Sequence, residues 1–262
     1  ESTPRRPLAR AVGRLLALLV FSTALGACTS SAPGEEQGSN ANAFSTQRHG
    51  VGACELLHQQ RASLALQTRS DCEPISPFVE ATIRECAILW NTAPTAVCAY
   101  SAPLDTGCGP TLSRNAGFCV PDDTLALDQP FVLEKVSTQG DFAAATMLAH
   151  EWGHLNQQRM GLGISETRIH LANELHADCH AGVFTAVQQL QGHLDLGDAE
   201  EAFNSFCRAG DPATAPFNPD GHGTCADRTT AFLTGYEGAR ADPDTVCSES
   251  ALEATVAICA RY

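Results

Sequence analysis

The chain has 262 residues, 44% of them hydrophobic, and a formal net charge of −14. This length and apolar content are enough for one large domain with a buried core and short appendages. The strong negative charge argues against binding to DNA, RNA or anionic lipid, because each of these is itself an anion.

The first 27 residues have the composition of an export signal. Four arginines precede residue 15, and an apolar run follows from residue 15 to residue 25. This run is too short for a permanent membrane span and fits the apolar part of a signal peptide. It ends in Leu25-Gly-Ala-Cys28, which resembles the lipobox of bacterial lipoproteins. We therefore predict a signal peptide at residues 1–27 and lipidation of Cys28. The alternative is ordinary signal cleavage near Ala27, with an incidental cysteine.

Residues 28–46 are dominated by small and polar side chains that cannot pack a core. They are predicted to form a flexible tether, which leaves residues 47–262 as the domain. The predicted location is therefore outside the cytoplasm, attached to a membrane of the bacterial cell envelope through a lipid on Cys28. By analogy with bacterial lipoproteins, Thr29 in place of Asp favours the outer membrane.

Eleven cysteines follow Cys28. An exported chain meets an oxidising compartment, so five disulfides and one unpaired cysteine are expected. Cys179 lies inside a predicted helix and is predicted to be the free, buried thiol. No C-x-x-C pair occurs in the chain, which argues against a zinc site built from thiolates.

Hydrophobic periodicity predicts a helix over residues 77–91, followed by Cys-rich loops and a short strand near residues 124–127. It predicts further helices over residues 141–160, 165–191, 198–209, 224–238 and 246–260. This order of elements indicates a mainly α (α+β) fold, a helical domain with a small β element and disulfide-stapled loops.

The pentapeptide His150-Glu-Trp-Gly-His154 points to a metal site. Two histidines four residues apart on a helix project from one face, which suits two ligands on one zinc ion. Glu151 lies about 100° round the helix, where its carboxylate can take a proton from a zinc-activated water. This is the H-E-x-x-H signature of metallopeptidases. The alternative is a buried helix with two incidental histidines.

Two histidines leave a catalytic zinc one protein ligand short. Glu174 and Asp178 share one face of the next predicted helix, and Ala177 and Ala181 beside them allow close approach of a neighbouring helix. Glu174 is the predicted third ligand, with His170 as the runner-up. Asp178 is predicted to accept the remaining N–H of a zinc-bound histidine.

Three other histidines have weaker patterns. His176 and His180 are also four apart, but they point away from Glu174 and lack a neighbouring Glu. They are interpreted as a surface pair. His222 lies in a Gly-rich loop and is a candidate donor to the oxyanion that develops during peptide hydrolysis.

Taken together, these motifs resemble the bacterial family of putative neutral zinc metallopeptidases. The resemblance extends from about residue 78 to residue 238. The segments that carry it are residues 107–109, 117–122, 148–157, 174–182, 197–203 and 222–228. It implies that zinc is the cofactor, that Glu174 is a ligand, and that Cys108 and Cys119 form a disulfide.

The sequence and this resemblance therefore predict a zincin-like helical metallopeptidase domain, a gluzincin-like zinc metalloendopeptidase that acts on a protein or peptide substrate. In this interpretation His150, His154 and Glu174 hold Zn²⁺ with water in the fourth position, and Glu151 is the general base. Two alternatives stay open. One is a lipid-anchored binding or scaffold protein whose structural zinc is closed by a fourth protein ligand such as His170. The other is a zinc amidase that acts on cell-wall crosslinks.

Overall fold

The computed structural model describes residues 52, 54–59, 61, 66–162, 170–212 and 221–262. The predicted signal peptide, Cys28 and the predicted tether lie outside these residues. Within the described part the fold is mainly helical with a small sheet, as the sequence predicts. None of the described helices is long and apolar enough to cross a membrane.

The helices are α1 (Pro77–Trp90), α2 (Gln129–Gln139), α3 (Asp141–Arg159), α4 (His170–Leu190), α5 (Asp198–Arg208), α6 (Cys225–Ala241), α7 (Pro243–Val246) and α8 (Ala251–Ile258). The strands are β1 (Ala96–Tyr100), β2 (Asp105–Thr106), β3 (Gly109–Pro110), β4 (Ala116–Cys119) and β5 (Thr124–Asp128). The helix predicted over residues 246–260 is shorter in the structure and corresponds to α8 (Ala251–Ile258), since residue 246 ends α7.

The main sheet has three strands in the order β1-β5-β4. β1 runs parallel to β5, and Ala96 pairs with Thr124. β4 is antiparallel to β5, and Phe118 pairs with Leu125. Of these strands only β5 is predicted from sequence, because β1 and β4 fall in the segment that is predicted to form Cys-rich loops. The antiparallel β4 is an edge strand of this sheet, and its position beside α3 matters for the site.

Helix α3 lies at the centre of the domain. Leu148, Ala149 and Trp152 are fully buried, and so are the polar residues Thr146 and Asn156. Trp152 donates its Nε1–H to Thr92 Oγ1 at 2.9 Å, and Thr92 donates to Asn156 Oδ1 at 2.8 Å. Since buried polar groups need partners, this chain of bonds fixes the rotation of α3 about its axis.

Helices α4 and α6 pack at unusually close range because two glycines face the opposite backbone. A Cβ on Gly182 would collide with the carbonyl oxygen of Phe232, and one on Gly235 with that of Cys179. With α3 on its other side, α4 is covered almost all round. His176 and His180 are therefore 1% and 0% exposed, and the prediction that they form a surface pair is wrong.

Five disulfides link the described cysteines: Cys54–Cys247, Cys72–Cys98, Cys108–Cys119, Cys179–Cys259 and Cys207–Cys225. The pairing of Cys108 with Cys119 agrees with the family resemblance. The prediction that Cys179 is free is wrong, since Cys179 on α4 is bonded to Cys259 just after α8. The free cysteine of the described residues is Cys86, which is buried on α1.

Candidate metal centre

Helix α3 supplies three polar side chains from a single turn. His150 and Glu151 are 5% and 9% exposed, and the His150 and His154 rings lie 4.8 Å apart. The run of Ala and Leu before them favours the helix that sets this spacing. Burying polar side chains is costly unless each has a partner, so the groups that face them decide what the cluster can do.

Helix α4 brings Glu174 to the two histidines. The approach is close because of Gly153, where an added Cβ would lie 2.9 Å from the Ala177 Cα. Glu174 Oε2 is 3.3 Å from His150 Nε2, and Oε1 is 3.3 Å from His154 Nε2. The sequence predicts this convergence from the small residues on α4, and the structure brings all three side chains together.

The donor set fits a zinc ion. The Nδ1 atom of His150 is 2.7 Å from Asp178 Oδ1, and that of His154 is 3.0 Å from Gln157 Oε1, so both Nε2 lone pairs are left for the shared point. Glu174 Oε2 is buried without a hydrogen-bond partner among the described residues. Tetrahedral ligands about 2.0–2.1 Å from zinc lie roughly 3.3–3.4 Å apart, which matches the separations found.

Asp178 is completely buried behind His150, where it joins that imidazole to an arginine. Arg228 on α6 donates from Nε to Asp178 Oδ2 at 2.8 Å and from Nη2 to Oδ1 at 2.7 Å. The predicted contact between Asp178 and a histidine of the site is therefore present. No role for Arg228 is predicted from the sequence, although this residue ends one of the motifs that carry the family resemblance.

The carboxylates favour positive charge at this point. Burial opposes protonation of His150, but Asp178 and then Glu174 outweigh it and raise its pKa to about 10. Burial likewise disfavours the charged form of Glu174, yet the two histidines hold the pKa of Glu174 well below its usual range. A metal ion would take the place of these protons, as it does whenever imidazoles become ligands.

Glu151 does not share in this cluster. Burial raises the pKa of its carboxyl, while the neighbouring His150 and His154 oppose that shift. A main-chain hydrogen bond from Phe118 of β4 also favours the charged form of the Glu151 carboxyl. Glu151 is therefore a buried carboxyl beside the donor set, with a proton affinity above that of a solvated Glu.

The donor set opens into a cavity of about 440 Å³. Its walls come from β4, α2, α3, α4, α5 and the start of α6, so six separate elements meet there. The apolar part of the lining includes Phe118, Phe131, Met147 and Phe206. Lys135, the single lysine of the chain, also lines the cavity. Burial first, and then Arg228 and Arg208, lower its pKa to about 8.

Two further histidines stand at the mouth of this cavity. His170 Nε2 is 3.6 Å from Glu174 Oε1, and His222 Nε2 is 4.0 Å from Glu174 Oε2. Their side chains are 32% and 51% exposed. His170, the runner-up ligand, does not fall in the same group of converging donors as His150 and His154. His222 converges with His170 on Glu174.

The chain is similar to one protein family and to several known proteins. A family model described as "Putative neutral zinc metallopeptidase" matches residues 9–246. The uncharacterized protein YpfJ of Escherichia coli K12 is 33% identical over 161 residues, 53% of this chain and 56% of that protein. The uncharacterized protein Rv2575 of Mycobacterium tuberculosis H37Rv is 32% identical over 167 residues, 53% of this chain and 57% of that protein. The chain thus spans a little over half the length of these curated relatives. No solved structure matches it.

Proposed function

Since the chain belongs to the putative neutral zinc metallopeptidase family, whose cofactor is Zn²⁺, we propose that it hydrolyses peptide bonds with zinc held by His150, His154 and Glu174. With Glu as the third ligand the site is gluzincin-like. The observation that carries the proposal is the convergence of these three side chains at the floor of an open cavity, where each histidine Nε2 lies 3.3 Å from one oxygen of Glu174. Glu151 stands beside them as the general base.

The chemistry is divided between the metal and the protein. When bound at such a site, zinc acts as a Lewis acid that polarises a carbonyl oxygen and lowers the pKa of water. Glu151 orients the attacking water, takes its proton, and passes that proton to the nitrogen of the leaving amine. Its raised pKa suits both roles, because a catalytic acid and base works best when its pKa is near the working pH.

The position of Asp178 explains how His150 is held for this task. By accepting the Nδ1–H it fixes the tautomer and orientation of the ring, so that Nε2 faces the metal. Arg228 in turn holds both oxygens of Asp178. The two residues are therefore positioning residues that act through His150.

The edge strand β4 supports an extended peptide as the substrate. β4 pairs with β5 along one side, and its residues Ala116, Gly117 and Phe118 line the cavity with Glu151. An extended peptide can add to such an edge through main-chain hydrogen bonds. The apolar lining then receives side chains of the peptide, which brings a scissile carbonyl over the donor set.

His222 is our candidate for a donor to the developing oxyanion. Its side chain is half exposed in the cavity, and its Nε2 is 4.0 Å from Glu174. An N–H at that distance from the donor set is within reach of a carbonyl oxygen bound there. Such donors lower the barrier because they are already oriented towards the charge that forms.

The rival interpretation as a closed structural zinc has less support. A closed site needs a fourth protein ligand, and His170 is its natural candidate. His170 converges with Glu174 and His222, however, and not with His150 and His154. A zinc amidase that acts on cell-wall crosslinks would use the same donors, so the digest proposed below must separate the two substrates.

We also propose that the protein is exported and anchored by a lipid on Cys28. Five disulfides in the described residues support an oxidising compartment. Labelling of cells with a radioactive fatty acid tests the anchor. Label should enter the wild-type protein and be absent from Cys28→Ser, and equal labelling of both would contradict the proposal.

The catalytic proposal is tested with the purified protein on a library of peptides and, separately, on murein. Cleavage of peptides should require zinc, stop with a chelator and return on zinc addition. Glu151→Gln should keep zinc and lose activity by about 10²–10⁴-fold.

The outcomes are distinct. Full activity of Glu151→Gln removes Glu151 from its role. Cleavage of murein alone indicates the amidase, and a zinc-loaded wild type that cleaves neither substrate contradicts the enzyme assignment.

A further inference from the structure

The carboxylate of Glu174 lies among four imidazole nitrogens. His154 and His170 face its Oε1 atom at 3.3 and 3.6 Å, and His150 and His222 face its Oε2 atom at 3.3 and 4.0 Å. Only two histidines are needed to complete the proposed zinc site. The other pair is therefore unexplained by the metal centre described above.

One ion cannot serve all four histidines. Among the described residues, the donor atoms of these four histidines and Glu174 form two groups in which every atom lies within 4.8 Å of the others. One group is His150, His154 and Glu174, and the other is His170, Glu174 and His222. Glu174 is the only member of both groups, so it is the natural bridge between two ions.

The backbone holds the second pair in place. His170 begins α4, one turn before Glu174, so both side chains lie on one face of that helix. His222 is fixed by Asp211, whose Oδ2 accepts the His222 N–H at 2.6 Å and the Gly223 N–H at 3.2 Å. Asp211 also donates its own N–H to the Gly223 carbonyl at 2.7 Å. These bonds turn the His222 loop towards the cavity.

We propose that His170, His222 and Glu174 form a second site for zinc or a similar divalent transition metal, bridged to the first site by the Glu174 carboxylate. Two imidazoles and a carboxylate are donors that zinc accepts, with solvent to complete the shell. Ions in two-metal sites lie about 3.5–4 Å apart, a spacing that one carboxylate can bridge. The second ion is the weaker one, because it binds next to an existing cation and its histidines are more exposed.

Occupation of the second site has a functional consequence that rests on the proposed peptidase activity. It takes His222 away from the developing oxyanion and draws electron density from Glu174. Excess zinc should therefore inhibit hydrolysis, whereas one zinc per chain supports it. Binding itself does not depend on catalysis, and it can be measured without a substrate.

The test is a zinc titration of the full-length, untagged protein after removal of metal by a chelator. Isothermal titration calorimetry and elemental analysis should give two zinc ions per chain in the wild type, one bound more weakly. His170→Ala and His222→Asn should each bind one zinc with the affinity of the tight site. His193→Ala is the matched control, because His193 bonds to Gln188 away from the cavity and should leave both ions bound.

Cobalt provides a spectroscopic test of the bridge. Addition of a second Co²⁺ should reduce the paramagnetic resonance signal per ion in the wild type, because a shared carboxylate couples the two spins. The signals should stay additive in His170→Ala. The proposal is overturned if the wild type binds only one zinc at every zinc concentration tested. It is also overturned if a second ion still binds to both variants, or if the two cobalt ions in the wild type show no spin coupling.

Activity separates this inference from the proposed function. Hydrolysis by a chain that binds only one zinc would leave the peptidase proposal intact and remove the second site. Two coupled ions in a protein that cleaves no substrate would support the second site and contradict the peptidase proposal. If both proposals hold, inhibition by excess zinc should be present in the wild type and lost in His170→Ala.

Discussion

The domain contains two pairs of histidines that share one spacing and have different surroundings. His150 and His154 lie on α3, and His176 and His180 lie on α4. The ring centroids are 4.8 Å apart in the first pair and 4.7 Å apart in the second. The first pair faces the carboxylate of Glu174 and an open cavity. The second is sealed among amides, with Asn156 Nδ2 3.2 Å from His180 Nδ1 and Gln157 Nε2 3.3 Å from His176 Nδ1.

The two environments have opposite effects on charge. The carboxylates beside His150 overcome its burial and raise its pKa to about 10. Around His180, burial and the nearby His176, His154 and His150 lower the pKa well below its ordinary value. Spacing on a helix therefore does not make a metal site by itself. The facing carboxylate and access to the cavity distinguish the first pair.

Removing that carboxylate should have the largest effect. We expect Glu174→Ala to lose stoichiometric zinc and with it all hydrolysis, because two imidazoles alone leave the proposed site without its third donor. His176→Ala, on the same helix two residues away, should keep one tightly bound zinc. Elemental analysis of both proteins makes the comparison. Unchanged zinc in Glu174→Ala would assign the third position to another residue, such as His170 or Asp178.

A change behind the first pair should have a smaller effect. We expect Asp178→Asn to weaken zinc binding by about 10–100-fold, since outer partners of a zinc-bound histidine fix its tautomer and raise its basicity. Competition with a fluorescent chelator measures the affinity. Because this variant also leaves Arg228 without its full partner, the thermal stability should fall. Adding Arg228→Met should recover stability without recovering affinity, and recovery of both would make Asp178 a purely structural residue.

Gln157 connects the two pairs, and its loss should cost less. Its Oε1 accepts from His154 Nδ1 at 3.0 Å, while its Nε2 donates to the Asn173 carbonyl at 2.7 Å. A neutral hydrogen bond contributes about 0.5–1.5 kcal/mol, so Gln157→Ala should weaken zinc binding less than Asp178→Asn does. The same competition with a fluorescent chelator shows which of the two variants binds zinc more weakly. A larger loss than in Asp178→Asn would contradict the view that charged partners dominate this site.

Much of the first pair's environment is predictable from sequence, because it depends on local spacing. The H-E-x-x-H turn, and Glu174 one turn before Asp178, each follow from helical periodicity. The helix predicted over residues 77–91 also agrees with α1 (Pro77–Trp90) to within one residue. In these cases the signal lies within a few turns of chain.

The second pair's environment is not predictable in this way, because it depends on which helices meet. His176 and His180 point away from Glu174, a direction that the sequence suggests is solvent. In the structure α3 packs there through Asn156 and Gln157, and Trp90 of α1 lies against His180. The same long-range packing joins Cys179 to Cys259, 80 residues later. Arg228 is similar, since its contact with Asp178 spans 50 residues. Pairings of this kind leave no local pattern.

Substitution of His180 should have the smallest effect on zinc binding. Its expected effect is on the pH dependence of folding stability, which tests the difference in charge between the two pairs. His180 is fully buried, so the folded state keeps it neutral, and an unfolded chain protonates it near its ordinary pKa of about 6.5. The unfolded state therefore binds more protons as the pH falls below about 6.5, and this residue makes the folded state progressively less stable there. His180→Gln keeps an acceptor for Asn156 but does not titrate. Its zinc content should equal that of the wild type, while its free energy of unfolding should fall less steeply between about pH 6.5 and 5. Urea denaturation at a series of pH values measures the two slopes. Equal slopes would mean that His180 is protonated in the folded protein, and the contrast in charge between the two pairs would be lost.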